Sequence, residues 1–317
     1  MNRRERRRQA KEARGTGKGD KAVSHGIRGE QLAGEGKIDE AIVAFRLAIS
    51  IDPQYAPAHH NLGVLLRQQG LLNEAIESYT RATSIQPDYV DAHYNLGNAL
   101  MDLGNLDAAV ASYHKALAIK PDFAQAHNNL GNAFIKLGKL DESLICYQKA
   151  LAVDAEYVEV HKNLGDALQQ LGKLEDAVAS YRKAVAIKPD FVEAHNNLGT
   201  TLEELGRFDE AIASHHKALA IKPDYAEAHY NLGNALQYLW RLHEAIASYH
   251  KALALTPDFP EVHSNLGNAF KKLGRLDEAV ASYRKALAIK PDYVQAHGNL
   301  GLISLLMGDF ETGWPEY

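Results

Sequence analysis

Nine glycines recur at a constant spacing of 34 residues: Gly29, Gly63, Gly97, Gly131, Gly165, Gly199, Gly233, Gly267 and Gly301. Each lies in a close copy of one stretch, written at residues 126–137 as Ala-His-Asn-Asn-Leu-Gly-Asn-Ala-Phe-Ile-Lys-Leu. A fixed period of this length is the signature of a stacked repeat, in which each unit buries its apolar face only against its neighbours. That constraint overrides the usual reading of 317 residues as roughly two globular domains.

The register runs from Ala22 through frames 22–55, 56–89, 90–123, 124–157, 158–191, 192–225, 226–259 and 260–293, with a partial ninth at 294–317. Each frame reads as two amphipathic helices. In 90–123 the first runs from Val90 to Leu103, with Tyr94, Leu96, Gly97 and Leu100 at helical spacing. Gly104 supplies the stop, since a left-handed backbone is cheap only for glycine. Asp107 caps or charges the start of the second helix, and Pro121 closes it.

Glycine at repeat position 8, alanine at 20, an aromatic at 24, alanine at 27 and proline at 32 resemble the tetratricopeptide repeat (TPR) pattern; in the first frame these are Gly29, Ala41, Phe45, Ala48 and Pro53. The resemblance covers residues 22–317. It implies an all-α fold, a right-handed superhelical solenoid of stacked helix–turn–helix repeats. Small residues at positions 8 and 20 fit two helices in close contact, where a larger side chain costs about 1–3 kcal/mol. The departures are Ala155 for the closing proline, His215 for the aromatic and Trp240 for the turn glycine.

The remaining bulk features exclude more than they assign. One cysteine, Cys146, permits no disulfide framework within the chain, and its apolar surroundings suit an inert buried thiol. No apolar run reaches the roughly 20 residues needed to span a membrane. No hydrophobic stretch follows the basic start, so a cytoplasmic location is expected. Residues 1–21 carry a net charge of +6, which leaves −11 on the remainder. They read as a disordered tail or as an electrostatic arm for an anionic surface. An acidic body is not the footprint of a nucleic-acid binder, and no cofactor site is recognisable.

Two columns carry candidate chemistry. Histidine at repeat position 4 (His25, His59, His93, His127, His161, His195, His229, His263 and His297) accounts for nine of fifteen histidines. Stacked helices lie about 8–10 Å apart, too far for one metal ion, whose bonds to histidine are about 2.0–2.1 Å. The column is expected to pack between helices, and no metal site is expected.

Asparagine at position 6 recurs as Asn61, Asn95, Asn129, Asn163, Asn197, Asn231, Asn265 and Asn299. Apolar packing does not select this mediocre helix former. Two readings stay open: an intramolecular hydrogen bond multiplied by duplication, or a ladder along the inner face that grips an extended polypeptide. A carboxamide both donates and accepts, and rungs about 10 Å apart match every third residue of a chain advancing about 3.3–3.6 Å per residue.

The ladder and the motif Ala-His-x-Asn-Leu-Gly-Asn-Ala (Ala92–Ala99, Ala126–Ala133) are similar to the repeats of the O-linked N-acetylglucosamine transferase family. The ending Gly-Asp-Phe-Glu-Thr-Gly-Trp-Pro-Glu-Tyr resembles the junction to a glycosyltransferase domain in bacterial members. That resemblance implies polypeptide substrates held by the ladder, with catalysis in a domain beyond residue 317. Nothing within residues 1–317 reads as a catalytic site. Carboxylate-clamp TPRs are a poor match, because Asp91, Glu159, Glu193, Glu227 and Glu261 at position 2 repel a carboxylate. Tyr230, Tyr238 and Trp240, with Arg241, form a candidate hot spot or mark drift in one repeat. The expected partners are polypeptide segments, and the convex face is a candidate homodimer surface.

Overall fold

A computed structural model describes residues 3–316, with side chains from Gly17 onward. The described residues form eighteen α-helices and no strand. They divide into two compact units, Met1–Tyr157 and Val158–Tyr317. The N-terminal unit holds α1 (Arg3–Gly34), α2 (Ile38–Ile51), α3 (Ala56–Gln68), α4 (Leu72–Ile85), α5 (Val90–Asp102), α6 (Leu106–Ile119), α7 (Ala124–Lys136) and α8 (Leu140–Val153). The C-terminal unit holds α9 (Val158–Gln170), α10 (Leu174–Ile187), α11 (Val192–Glu204), α12 (Phe208–Ile221), α13 (Ala226–Tyr238), α14 (Leu242–Leu255), α15 (Pro260–Lys272), α16 (Leu276–Ile289), α17 (Val294–Leu306) and α18 (Phe310–Glu316). In each unit, consecutive helices pair as antiparallel hairpins, and each pair stacks on the next.

The chain turns between the two helices of a repeat by one device. After α3, Gly70 sits at φ +77°, its N–H donates to the Arg67 carbonyl, and the Leu71 N–H reaches back to the Leu66 carbonyl at 2.9 Å. This paired closure is the Schellman motif, and it needs a left-handed residue. Trp240 occupies that place at φ +60°, the single non-glycine with positive φ among the described residues. At the start of α6, the Asn105 side chain accepts from the Ala108 N–H, so Asn105 is the cap and Asp107 adds charge to the first turn.

The hairpins from α1–α2 to α15–α16 each close over an aromatic ring. Tyr113 on α6 is 1% exposed and lies against Gly97 on α5, where an added Cβ would meet its Cε1 at 2.5 Å. Ala109 and Ala116 flank the ring and are fully buried. The same arrangement recurs in the C-terminal unit with Tyr249 against Gly233. The tail expected without structure in residues 1–21 differs: α1 is helical from Arg3. Its Arg, Lys, Gln, Glu and Ala content favours a helix locally despite Gly15, Gly17 and Gly19. Gly17–Lys21 stay largely in solvent, and Ala22 is fully buried. At the other end α18 is a short helix with Pro315 inside it.

Candidate functional site

The first helix of each repeat carries positions 2, 5, 6, 9 and 12 at spacings of three and four along one side. All eight asparagines of the position-6 ladder are half-buried on that side. The donor end of the carboxamide turns inward. Asn129 Nδ2 donates to Asn98 Oδ1 at 2.9 Å and to Tyr94 Oη at 3.0 Å, both in the preceding repeat. Asn265 Nδ2 does the same with Asn234 Oδ1 at 2.9 Å and Tyr230 Oη at 3.3 Å. Asn197 donates to Asp166 at 3.0 Å, and Asn231 to Asn196 Oδ1 at 3.2 Å and Thr200 Oγ1 at 3.4 Å. Asn61 donates to Glu30 at 2.9 Å and Asn95 to His60 Nε2 at 2.9 Å. Asn163 is also engaged.

Position 9 is the receiving hub, and its role is not assigned by the sequence reading. Asn98 Oδ1 accepts from Tyr113 Oη at 2.8 Å within its own repeat, as well as from Asn129 of the next. Asp166 accepts from Tyr181 at 2.6 Å and from Asn197. Asn234 accepts from Tyr249 at 2.9 Å and from Asn265. A carbonyl or carboxylate oxygen has lone pairs for both donors. This latch ties the buried ring of one repeat to the first helix of the next. It is legible in part, since Asn98, Asn132, Asn234 and Asn268 follow their ladder asparagines by three residues in the motif Asn-Leu-Gly-Asn, with Asp166 and Thr200 at the same place in two other repeats. Repeat 56–89 has Val64 at the hub position, and there Asn95 turns to His60.

The histidine column is structural, as expected. His93 Nε2 lies 2.9 Å from the Pro87 carbonyl, His127 Nε2 2.9 Å from that of Pro121 and His229 Nε2 3.0 Å from that of Pro223. A carbonyl only accepts, so Nε2 carries the proton and Nδ1 is bare; Nδ1 of His93, His127, His195, His229 and His263 is buried without a partner. Burial pushes His59, His127, His195, His229 and His263 below the ordinary imidazole value, against the opposing pull of the proline carbonyls. Among the described residues no cluster suits a metal ion.

Repeat 192–225 departs most. His215 replaces the ring tyrosine, is fully buried, and places Nε2 2.8 Å from Glu203 Oε1 and Nδ1 3.1 Å from Asn196 Oδ1. Asn196 donates to Glu227 at 3.4 Å, which fixes its oxygen toward His215. The proposed hot spot splits. Tyr230 is half-buried and belongs to the latch, packed against Tyr249 and Phe259. Tyr238 and Trp240 are 65% and 68% exposed; Tyr238 stacks on Phe208 with centroids 3.8 Å apart, and Lys272 Nζ lies 4.9 Å from the Trp240 ring. Cys146 is buried, and burial raises its thiol to about 11.

No described helix is long and apolar enough to cross a membrane. No curated protein matches the chain. Among solved structures, the MamA protein is 27% identical, covering 54% of this chain and 94% of its own, at a TM-score of 0.50. YrrB, described as "a TPR protein with an unusual peptide-binding site", is 24% identical over 58% of this chain and 95% of its own, with a TM-score of 0.51. The pilF protein of Pseudomonas aeruginosa is 21% identical over 65% and 94%, with a TM-score of 0.57. Below 25% identity such likeness speaks for the fold. The TPR-repeat model matches residues 29–70, 65–104, 97–138, 131–172, 165–206, 202–239, 241–274 and 267–308, and with the helix pairs and ring-on-glycine closures above, the chain belongs to the TPR-repeat family.

Proposed function

We propose that this protein-interaction module works in the cytoplasm and holds extended polypeptide segments along its ladder face. The observation that carries the reading is the orientation of the asparagines. The Nδ2 groups of Asn61, Asn95, Asn129, Asn197, Asn231 and Asn265 are spent on the preceding repeat; Oδ1 of Asn129, Asn265 and Asn299 accepts within the chain, while at Asn95, Asn197 and Asn231 no bond to Oδ1 is formed among the described residues. Those oxygens are acceptors for backbone N–H groups of a bound segment. This narrows the two-ended grip expected from the sequence to an acceptor-only grip. Each such bond adds about 0.5–1.5 kcal/mol net, so affinity grows by repetition along the face. Contacts to peptide backbone leave the sequence of the segment open.

The test is fluorescence anisotropy of a labelled extended peptide with the full chain and with variants carrying Asn95→Ala, or Asn197→Ala and Asn231→Ala. Affinity is expected to fall about two- to twelvefold for each acceptor removed, with helicity by circular dichroism unchanged below the melting transition. Unchanged affinity in both variants removes the ladder as the site.

A second reading is favoured by the repeated Ala-His-x-Asn-Leu-Gly-Asn-Ala motif. In it the same face presents acceptor polypeptides to an O-linked N-acetylglucosamine transferase domain. Sugar transfer to a ladder-bound peptide by the product of the entire reading frame supports it, and absence of transfer from that product removes it.

A further inference from the structure

The two units present different chemistry on the ladder side. In the C-terminal unit, position 2 is occupied by Glu159, Glu193, Glu227 and Glu261, and Glu204 lies at the end of α11. Glu193, Glu204, Glu227 and Glu261 have no cationic partner within ion-pair distance among the described residues; Glu204 accepts from Gln169 at 2.5 Å, and Glu227 from Tyr225 at 3.2 Å. Glu227 and Glu193 both act on Tyr225, whose hydroxyl is raised to about 12, first by burial and then by these carboxylates. The asparagine donors are already turned inward, so this side offers acceptors and negative charge to whatever approaches.

The chain itself shows which group suits such a surface. Lys271 Nζ on α15 donates to Oδ1 of the ladder residue Asn299 at 3.1 Å. Lys162 Nζ sits 2.6 Å from the hub carboxylate of Asp166, with both side chains about one-quarter exposed. An ammonium is therefore accommodated both on a ladder carbonyl and on a hub oxygen. Three-donor ammonium groups fit acceptors without needing a planar match.

We infer that the ladder side of Val158–Tyr317 selects extended segments rich in lysine or arginine, their cationic side chains seated on ladder oxygens such as Asn231 Oδ1 and on Glu193 and Glu227. This rests on the proposed peptide-binding role of the ladder and names the partner class for it. Backbone N–H groups fill the remaining ladder acceptors, and the carboxylates set the preference among sequences. Exposed charge pairs are individually weak and screened by salt, so the preference is expected to be modest at each position and to fall with ionic strength.

The experiment uses the full chain and three labelled dodecapeptides, alternating Gly-Lys, Gly-Ser and Gly-Glu. Gly-Lys is expected to bind about tenfold tighter than Gly-Ser at low salt, with Gly-Glu weakest. Glu193→Gln with Glu227→Gln is expected to remove most of that advantage and leave Gly-Ser affinity unchanged. A Glu193→Gln single variant repeats the measurement if the double variant does not fold. Equal affinities for Gly-Lys and Gly-Ser, or a Gly-Lys advantage untouched by the glutamine variants, overturn the charge preference. If Asn197→Ala with Asn231→Ala weakens Gly-Ser binding in that case, the ladder still stands as the binding site. If no peptide responds to the asparagine variants, the ladder reading itself falls.

Discussion

The two units share one architecture and differ on the face that carries the ladder. In the N-terminal unit Asp91 is the one carboxylate at position 2, Arg67 Nε lies 2.7 Å from Asp102 Oδ2, and Glu30 accepts from Asn61. Position 5 supplies His60, Tyr94 and Asn128. In the C-terminal unit the carboxylates at positions 2 and 13 have no cation opposite them, and one buried ring has become His215. Packing positions change little between the units: a ring lies against the glycine of each repeat from 22–55 to 260–293, Tyr in most, Phe45 in the first and His215 in 192–225. The surface positions drift, because the latch asks only for a hydrogen-bond acceptor at position 9, and Asn, Asp and Thr all provide one.

The comparison breaks first at His215. His215→Ala leaves Glu203 and Asn196 facing a cavity, and is expected to destabilise the C-terminal unit by about 3–5 kcal/mol in urea unfolding. A loss under 1 kcal/mol would mean that the buried contact with Glu203 contributes nothing. The shared packing comes next. Gly97→Ala and Gly233→Ala place a Cβ 2.5 and 2.4 Å from the Tyr113 and Tyr249 rings, and each is expected to cost about 1–3 kcal/mol, alike in the two units.

Acid sharpens the contrast further. His59 and His127 in one unit, and His195, His229 and His263 in the other, have folded pKa values lowered by burial. The unfolded chain therefore binds protons more readily than the folded one. The stability these neutral rings contribute is fully present above the ordinary imidazole value of about 6.5, and is lost progressively as pH falls below it. Urea midpoints are expected to drop between pH 7.5 and pH 5; a midpoint that rises over that interval contradicts the neutral assignment.

The smallest effect is expected at the turn. Trp240→Gly relieves a left-handed backbone costing about 1–2 kcal/mol and gives up a cation–π contact of about 0.5–1 kcal/mol with Lys272. A net gain of about 0.5–1 kcal/mol is expected, read as a higher melting temperature. A loss would show that the exposed indole stabilises the C-terminal unit through more than that contact.

The 34-residue glycine period revealed the helix pairs because packing and turn geometry act within one repeat, where residue type and spacing suffice. Gly97, Tyr113 and Gly104 each perform the task their residue type implies. The candidate site was legible only as a column. Which end of the Asn129 carboxamide faces the next repeat depends on Asn98 and Tyr94, 31 and 35 residues away, and no local pattern states it. Tyr230 illustrates the same limit: an aromatic on the ladder side reads as a hot spot until its hydroxyl is found engaged by Asn265. Residues 3–21 show the reverse, where helix-forming side chains make a helix that the low apolar content does not suggest.

Ladder asparagines such as Asn197 and Asn231 have two separable ends, the donor holding the preceding repeat and the acceptor proposed to hold the partner. Replacing Asn197 and Asn231 together by aspartate removes the donors and keeps the oxygens. Melting temperature and affinity for the Gly-Ser dodecapeptide, measured on that one variant, separate the two ends. A lower melting temperature with affinity retained is expected. Affinity lost to the same extent as in Asn197→Ala with Asn231→Ala would contradict it.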